Sequence, residues 1–366
     1  MKQFFITFCT CLFFFGLAKG QTPSSDPHWE LIWMDHFNLA TLDGANWTAA
    51  NNFDHYSASA TNGEHQVYTS RLDNVYVDSG CLVIQMKQET YSCPPDAVNM
   101  DKCSRQFEMG IPYLYTSGWV ETKQIRKTLY GFIEARIKVP YSVGLWPSFW
   151  LKSDGTDILN GSSYQEIDVF EILPGRYEDC TYATSGHFIH GKNQITSNLH
   201  NTLISNEPFC TSNFGVYSVN DYTQWHLYAI EWSPSKIVYY IDGQITHIIP
   251  NTGNFDPEKI IFNMALNPTM SNYYSSLNLP KKMYVDYIKV YKLKNDCNTI
   301  LNACNYNFNS HDNRVKKKII LGNGSCYNTL GSTDNVYLRA SEGIEINGIF
   351  TVPVGATLYL DSSTCY

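Results

Sequence analysis

Three carboxylates stand close together in one apolar stretch, QEIDVFEIL, at residues 165–173. They are Glu166, Asp168 and Glu171, and the residues between them are the β-branched and aromatic types of a buried strand. Mutual repulsion and desolvation penalise acids packed so closely, so their presence needs a reason. Paired carboxylates are the groups that carry acid–base and nucleophilic chemistry, including the cleavage of glycosidic bonds.

The spacing of the two glutamates sets a geometric condition. Side chains alternate along a strand, so Glu166 and Asp168 share a face while Glu171 would point away. A one-residue β-bulge between them returns Glu171 to that face. The two Cα atoms then lie about 13 Å apart, and inward-leaning side chains leave roughly 5 Å between the carboxyl groups. A retaining glycosidase needs that separation, with one carboxylate as nucleophile and the other as acid and then base.

Spacing alone is equally compatible with two non-catalytic roles. The acids could form a solvated face of the strand, or they could ligate calcium through their oxygens. In the catalytic case Asp168 could hydrogen-bond a neighbour and help to hold the two glutamate pKa values apart.

The charge balance limits the partners of the chain. It has 26 basic and 34 acidic residues and a net charge of −8, which becomes more negative if Lys2 and Lys19 leave with the leader described below. This balance argues against nucleic acid and favours a neutral partner. Aromatic residues make up 14% of the chain, which suits a surface that stacks on sugar rings.

The first 20 residues, MKQFFITFCTCLFFFGLAKG, have the form of a secretory signal peptide. A lysine precedes an apolar run, and small residues follow at Ala18 and Gly20. We expect cleavage before Gln21 and a secreted, extracellular protein, either free or associated with the cell surface. The apolar run is too short for an anchor, and no later run is long enough to span a bilayer.

Short strand patterns dominate the rest of the chain, without long helical periodicity. GFIEARIKVP alternates between charged and apolar residues, as a half-buried strand does. An Asp242-Gly243 pair between two strand-like runs predicts a β-hairpin. Residues 21–294 therefore predict one all-β catalytic domain, of a size that a single large sandwich accounts for.

The sequence changes character near Lys294 and becomes richer in Cys and Asn. Residues 295–366 predict a small separate β module, in which we find no internal repeat. Its role stays open between carbohydrate binding, secretion or surface attachment, and protection of the catalytic domain.

Nine of the 11 cysteines remain after the leader, in a compartment that permits disulfides. Cys93 with Cys103 and Cys180 with Cys210 are plausible pairs. Cys81, at the start of an apolar strand, is predicted to be a free, buried thiol. Two further bridges are predicted among the cysteines of the C-terminal module, which are Cys297, Cys304, Cys326 and Cys365.

EIDVFE matches the E-x-D-x-x-E signature of glycoside hydrolase family 16, in the bulged form of its laminarinase-like, agarase and carrageenase members. LIWMDHFNLATLDGANW, YTSGWVETKQIRKTLYGFIEARIKVP, GLWPSFWLK and VDYIKVYKL resemble other family strands in the right order. The resemblance implies a β-jelly-roll sandwich of two curved antiparallel sheets with a concave substrate cleft. It implies that Glu166 is the nucleophile, Glu171 the general acid/base and Asp168 the assisting carboxylate.

The resemblance also implies substrate-binding residues. Glu134 and Arg136 match cleft residues that hydrogen-bond sugar hydroxyls, with an exposed ion pair as the alternative. Trp146 and Trp150 share a face and could either stack on sugars or fill the core. Asn263, in IFNMALN, matches a family Asn that reaches the cleft.

Two further positions are less specific. Relatives often carry a Trp where this chain has Ala265, so one aromatic platform is missing or is supplied elsewhere. His187, in SGHFIHG, resembles a family His beside the acid/base, with His190 as a rival, and either could be a surface histidine.

A structural calcium ion is implied at Asp286 in VDYIKV, with carbonyls of Gly80 and His36 completing the site. The usual Asp-Glu-Phe of the family is Asp35-His36-Phe37 here, which weakens the calcium prediction without removing it, because the ligand would be a backbone carbonyl. The chemistry itself is expected to need no cofactor.

TNGEHQVYT, at residues 61–69, resembles the N-E-x-Q-x-Y-T stretch of laminarinase-type members and favours β-1,3-glucan as the substrate. We therefore expect a secreted, monomeric, retaining endo-glycosidase. Action on a red-algal galactan, as by an agarase, porphyranase or carrageenase, stays open because GRYEDCTYATSGHFIHG departs from the usual laminarinase sequence. A non-catalytic glucan-binding lectin on the same fold is disfavoured, since both catalytic glutamates are present.

Overall fold

A computed structural model of the protein describes residues 22–24, 26–50, 64–92, 112–153, 165–174, 177–178, 187–188, 192–201, 215–251, 256–311, 313–362 and 364–366. Strands dominate these residues. Within these ranges no helix has both the length and the apolar character needed to cross a membrane.

The first part of the fold, up to residue 293, is built from β-strands joined by loops and two short 3-10 helices. The strands are β1 (Trp29–Asp35), β2 (Trp47–Ala50), β3 (Val67–Tyr68), β4 (Val75–Asp78), β5 (Cys81–Tyr91), β6 (Tyr113–Ser117), β7 (Trp119–Thr122), β8 (Gly131–Lys138), β9 (Leu145–Lys152), β10 (Gln165–Glu171), β11 (Tyr177–Glu178), β12 (His187–Phe188), β13 (Gln194–Asn201), β14 (Gly215–Ser218), β15 (His226–Trp232), β16 (Lys236–Ile241), β17 (Gln244–Pro250), β18 (Lys259–Leu266) and β19 (Lys281–Leu293). The 3-10 helices are Gln124–Arg126 and Pro268–Ser276.

Two sheets contain nearly all of these strands. The ten-stranded sheet has the order β17-β16-β15-β8-β19-β5-β6-β3, with β1 beside β19 and β4 beside β5. The seven-stranded sheet has the order β14-β13-β10-β9-β18-β7-β2. Pairing is antiparallel apart from the short parallel pair β3–β6, and β11 and β12 form a separate ribbon.

One apolar core lies between the two sheets. From the ten-stranded sheet, β8 contributes Ile133, Ala135 and Ile137, which are fully buried in the same cluster as Phe149 and Phe262 of the seven-stranded sheet. Because side chains alternate along a strand, each sheet also presents an outer face that points away from this core. The all-β sandwich predicted from the sequence is confirmed.

The predicted hairpin is also confirmed. Strands β16 and β17 are antiparallel neighbours, and Ile241 pairs with Gln244 directly across the turn. Asp242 and Gly243 have φ values of 50° and 73°. Two successive positive φ angles give a turn whose twist matches that of the flanking strands, and Asp-Gly adopts it at low cost.

The C-terminal module is a parallel coil, which the sequence did not predict. Its strands are β20 (Asn295–Ala303), β21 (Val315–Leu321), β22 (Tyr327–Thr329), β23 (Asn335–Ala340), β24 (Ile344–Ile346), β25 (Ile349–Thr351) and β26 (Thr357–Ser362), with a 3-10 helix at Phe308–Ser310. All of their pairings are parallel. Tyr327 pairs with Ile349 and Asn335 with Thr357, each 22 positions further along the chain. The chain therefore winds back over itself about once every 22 residues.

This periodicity escaped the sequence analysis because successive turns of the coil share few residue types. Its small core consists of buried positions such as Ile319, Leu321 and Leu338, while the connecting turns differ in sequence and length. Any apolar residue satisfies such a core position. The turns of the coil therefore repeat the positions of buried residues but not the residue types, and the sequence shows little sign of the repeat.

Two disulfides close the module, Cys297–Cys365 and Cys304–Cys326. The prediction that these four cysteines form two bridges is confirmed. Cys81 is free, as predicted, but it is half-buried rather than buried. The other two predicted pairs lie outside the described residues.

The module docks on the outer face of the ten-stranded sheet. Its Val315 is buried in one apolar cluster with Trp29 and Phe132 of the sandwich. Arg339 of β23 is only 2% exposed, and its Nη2 lies 2.7 Å from Oδ2 of Asp26 in the sandwich. A second sandwich carboxylate, that of Glu231, lies 3.5 Å from Arg339 Nη1. A guanidinium buried this deeply needs such partners, so the module is bound to the sandwich by charge as well as by apolar contact.

Candidate active site

The three carboxylates project from one face of β10 because the strand contains a bulge. In the pairing with β9 the register shifts after Asp168, and Val169 is the extra residue. The pairing with β13 shifts at the same place. The predicted bulge is confirmed, and it brings Glu171 to the face that carries Glu166 and Asp168.

Two hydroxyl groups of β13 hold the bulge in place. Ser197 Oγ donates a hydrogen bond of 2.8 Å to the carbonyl oxygen of Val169. Thr196 Oγ1 donates one of 2.7 Å to the carbonyl oxygen of Glu171. A bulge interrupts the regular ladder, and these side chains supply donors to buried backbone acceptors at the interruption.

His200 of β13 lies against the carboxylates, directly across from Glu166. Its Nε2 is 3.2 Å from Oδ2 of Asp168 and 3.9 Å from Oε1 of Glu166. Burial alone would lower the pKa of His200, but the adjacent Asp168, followed by Glu166 and Glu171, raises it to about 9. The imidazole is therefore protonated at neutral pH, and its positive charge offsets part of the negative charge of the acids.

The carboxyl group of Glu171 has a higher pKa than an ordinary glutamate. Burial raises its pKa well above the usual value, and the charges of Asp168 and Glu166 raise it further, although His200 lowers it. The indole of Trp146 donates a hydrogen bond of 2.8 Å from Nε1 to Oε1 of Glu171, which also lowers the pKa. The net effect raises the pKa of Glu171 and favours its protonated form.

The geometry thus places Glu171, whose protonated form is favoured, on the same face as Glu166 and Asp168. The Glu166 side chain is 15% exposed, whereas that of Asp168 is only 2% exposed. Glu171 can donate a proton and Glu166 can attack an electrophilic carbon, while Asp168 is placed to orient His200. Separate acid and nucleophile roles require that division.

An aromatic floor continues from the carboxylates across β9, β18 and β7. The rings of Trp150 and Trp119 meet edge to face at 5.1 Å, and Tyr68 meets Trp119 at 5.4 Å. Trp150 Nε1 donates to Asn263 Oδ1 at 2.7 Å, and Asn263 Nδ2 donates to Tyr68 Oη at 2.9 Å. Tyr68 in turn donates to Glu64 Oε2 at 2.9 Å. This chain of hydrogen bonds fixes the rings of the floor.

Three of the predicted substrate-binding residues, Trp146, Trp150 and Asn263, lie at this aromatic floor. Trp146 and Trp150 pack on a cluster separate from the sandwich core, so neither is a core filler. Asn263 lies on the same outer face but is buried, and it orients Trp150. Ala265 is also buried there, and Trp119 from the neighbouring β7 supplies an aromatic ring that the sequence analysis did not select.

The prediction that Glu134 and Arg136 line the cleft is wrong. Strand β8 belongs to the ten-stranded sheet, and both side chains point away from the core on its outer face. Arg136 Nη1 lies 2.7 Å from Asp286 Oδ2, and Tyr287 donates to Glu134 Oε1 at 3.2 Å. The alternation of charged and apolar residues correctly identified an outward face, but it could not say to which sheet that face belongs.

Among the described residues, the histidine beside the carboxylates is His200, which the sequence analysis missed. His187 lies in β12, which pairs with β11 outside the seven-stranded sheet, and its side chain is outside the described atoms, as is all of His190. The alternation in ITSNLH, with Asn198 and His200 on one face of a strand, is the signal that could have identified it.

The residues predicted for calcium do not fit that ion. The one carboxylate of the set, Asp286, already pairs with Arg136 at 2.7 Å. The ring of His36 packs against Tyr287 with centroids 5.7 Å apart. Calcium takes roughly 6–8 oxygen ligands, and a single carboxylate that faces a guanidinium serves it poorly. We assign no function to a metal at this position.

One cluster in the described ranges has the residue types and spacing of a metal site. Potential ligand atoms of Glu166, Asp168 and His200 lie within 4.8 Å of one another. A protonated imidazole has no lone pair for a metal, and the pKa of His200 is about 9. At neutral pH the imidazolium offsets one of the two carboxylate charges and occupies the space between them, which disfavours calcium as the reason for the three acids.

Comparison with known proteins agrees with the geometry. The model of the family described as Glycosyl hydrolases family 16 matches residues 62–289. The chain is 30% identical over 284 residues to glucan endo-1,3-beta-glucosidase A1 of Niallia circulans, an alignment that covers 72% of this chain and 38% of that protein. It is 28% identical over 287 residues to a beta-glucanase of Rhodothermus marinus, covering 73% of this chain and 86% of that one.

A solved structure shows the same fold. The endo-beta-1,3-glucanase of Pyrococcus furiosus superposes with a TM-score of 0.56 at 27% identity, covering 72% of this chain and 95% of that one. The chain spans less than half of the Niallia protein, but most of the Rhodothermus and Pyrococcus proteins.

Proposed function

The chain belongs to glycosyl hydrolase family 16, and on that premise we propose that it is a secreted, monomeric, retaining endo-hydrolase of β-1,3-glucan. The observation that carries the proposal is the bulge at Val169, which brings Glu166 and Glu171 to one face of β10. Two carboxyl groups on one face, one of them holding a proton, are the machinery of double displacement.

The reaction divides between the two glutamates. Glu166 attacks the anomeric carbon while Glu171 transfers its proton to the departing glycosidic oxygen, and a covalent glycosyl–enzyme results. Glu171, now ionised, takes a proton from water, which attacks the anomeric carbon and releases Glu166. The imidazolium of His200, with Nε2 3.9 Å from Oε1 of Glu166, favours the ionised form of Glu166, and Asp168, 3.2 Å from the same nitrogen, orients the imidazole.

The character of the floor supports a neutral glucan. Trp146 and Trp150 are half-buried, so part of each indole is open to the flat apolar face of a sugar ring, while Trp119 and Tyr68 are buried and pack against them. Of the cations nearby, Lys259 is paired, with Nζ 2.9 Å from Glu121 Oε1, and Lys152 packs its Nζ 5.6 Å from the Trp150 ring centroid. The relatives named above as glucan endo-1,3-beta-glucosidase and beta-glucanase support the same class of substrate.

A substrate panel tests the proposal. Laminarin, mixed-linkage glucan, agarose, porphyran and κ-carrageenan are each incubated with the secreted enzyme, and the products are identified by mass spectrometry. We expect a series of laminari-oligosaccharides, and NMR of the first products should show the β-anomer. Cleavage of a galactan alone would show that the substrate is a galactan and not β-1,3-glucan. An α-anomer as the first product would exclude double displacement.

The nucleophile is tested by Glu166→Gln. We expect turnover to be abolished while laminarin binding is retained, because the floor is unchanged. Activity within about tenfold of the native enzyme would exclude Glu166 as the nucleophile.

A further inference from the structure

The outer face of the ten-stranded sheet has one covered part and one open part. The C-terminal module covers the part that includes Phe132 and Trp29. The open part includes the end of β8 and the start of β19, where Lys138 and Tyr284 are paired neighbours. It lies on the opposite sheet from the carboxylates.

An open cavity of about 430 Å³ occupies this part of the surface. Three of its lining residues are lysines, Lys138 from β8 and Lys281 and Lys282 from β19. Thr223 and Gln224, from the turn before β15, add neutral hydrogen-bonding groups to the wall. We call this cavity the lysine groove.

The lysines of the groove differ from the paired lysines of the chain, such as Lys259 with Glu121 and Lys318 with Glu345. None of the three groove lysines has a carboxylate within 4.0 Å among the residues that the structure describes. Lys282 packs its Nζ 5.6 Å from the ring centroid of Tyr76, which does not neutralise it. Three such cations are notable in a chain that carries a net charge of −8.

Aromatic rings lie along the same surface. Tyr284 lines the groove, and its ring is 6.4 Å from that of Trp225. The guanidinium of Arg136 covers one face of Trp225 at 4.5 Å, and its charge is balanced by Asp286. Aromatic rings next to cations offer both a stacking surface and a charge for a sugar that bears an acidic group.

We propose that the lysine groove is a second carbohydrate-binding site, which holds an isolated anionic group, a carboxylate or a sulfate ester, on an otherwise neutral polysaccharide. The three cations repel one another until an anion enters. A densely charged polymer such as nucleic acid would meet the net negative charge of the rest of the protein and be repelled. A sparsely charged glycan avoids this repulsion. The groove would bind the enzyme to such a polysaccharide while the cleft on the other sheet stays free for substrate.

Affinity electrophoresis of the full-length protein tests the proposal without relying on its activity. Gels contain gellan, whose carboxylates are widely spaced, κ-carrageenan, which bears sulfate esters, or neutral agarose. The variant Lys138→Ala/Lys281→Ala/Lys282→Ala is compared with Lys236→Ala/Lys317→Ala/Lys318→Ala, which removes the same charge from positions outside the groove. Melting temperatures verify that both variants are folded, and the single change Lys281→Glu replaces the triple variant if that one is unstable.

We expect retardation by gellan, by κ-carrageenan or by both, and little by agarose. Loss of each groove lysine should weaken binding by up to about fivefold, and salt should weaken it further, whereas the control variant should bind as the native protein does. Retardation by one polymer alone assigns the carboxylate or the sulfate. Equal retardation of the two triple variants, or no retardation by either anionic polymer, would overturn the proposal.

Discussion

The indole N–H of Trp146 donates to Oε1 of Glu171 at 2.8 Å, so one ring both borders the acid and fixes its orientation. The same hydrogen bond lowers the pKa of Glu171 against the larger effect of burial. Trp146 therefore influences when the acid gives up its proton as well as where it points.

Replacing Trp146 by Phe should change the pH dependence of the reaction. Without the indole donor the pKa of Glu171 rises further, so the basic limb of the kcat/KM profile should move to higher pH. The rate at the optimum should fall by roughly 10- to 100-fold, because the acid loses its orientation. Trp150→Phe is the matched control, since that indole donates to Asn263, and it should leave the basic limb in place. An equal shift in both variants would show that Trp146 acts only through general packing.

Replacing Glu171 by Ala separates the acid from the nucleophile. Hydrolysis of laminarin should almost stop, whereas an activated aryl glycoside, whose leaving group needs no proton, should react much faster than laminarin. Added azide should then restore turnover and give a β-glycosyl azide, which NMR identifies. The two roles would be reversed if azide gave the α-glycosyl azide with Glu171→Ala and the β-glycosyl azide with Glu166→Ala.

His200 should make the stability of the protein depend on pH. Its pKa rises from an ordinary value of 6.5 to about 9 in the folded protein. A raised pKa stabilises the fold fully below the unfolded value, and that contribution disappears as the pH rises through the folded value. The melting temperature should therefore fall between about pH 6.5 and pH 9. In His200→Gln this part of the decline should be absent, whereas His36→Gln, on the other sheet, should keep it.

The bulge can be probed by two single-residue deletions that both shorten EIDVFE. Deleting Val169 removes the extra residue and leaves Phe170, whose ring is fully buried and 4.5 Å from that of Tyr228. Deleting Phe170 places a smaller side chain in that space and should cost about 2–4 kcal/mol more in the free energy of unfolding. Denaturant titration measures the difference. Equal stability of the two proteins would mean that the extra residue can be accommodated elsewhere in the strand.

Arg339 should be essential for the attachment of the module. Its removal leaves the buried carboxylate of Asp26 with His28 alone as its partner, and Arg339→Ala should cost about 3–5 kcal/mol. Ending the chain at Lys294 exposes Trp29 and Phe132 and should produce an aggregation-prone protein. Products formed from laminarin by any soluble fraction should be unchanged, because the module lies on the sheet opposite the carboxylates. Lys318→Ala, on the surface of the module, is the control and should melt like the native protein.

Local patterns in the sequence predicted the features that depend on near neighbours. The shared face of Glu166, Asp168 and Glu171, the bulge, and the turn at Asp242-Gly243 each follow from alternation or from the φ angles a residue tolerates. The physical causes of these features act over a few positions, so each feature can be predicted from a single stretch of chain.

Features that depend on which strands become neighbours could not be predicted from the sequence in this way. Glu134 was assigned to the wrong sheet because alternation defines a face without defining the sheet partner. His200 was missed because its importance arises only when β13 pairs with β10 in one register. The parallel coil was missed because its core repeats burial and not residue identity.

The ion cluster around Arg339 has an implication for how such a chain can diversify. The carboxylates of Asp26 and Glu231 come from two distant parts of the sandwich, and a single guanidinium from the appended module pairs with both. A recombination event that exchanged this module for an unrelated one would leave two anions in an apolar contact. The junction therefore discourages domain shuffling, and we expect the two parts to be inherited together and to unfold in a single transition.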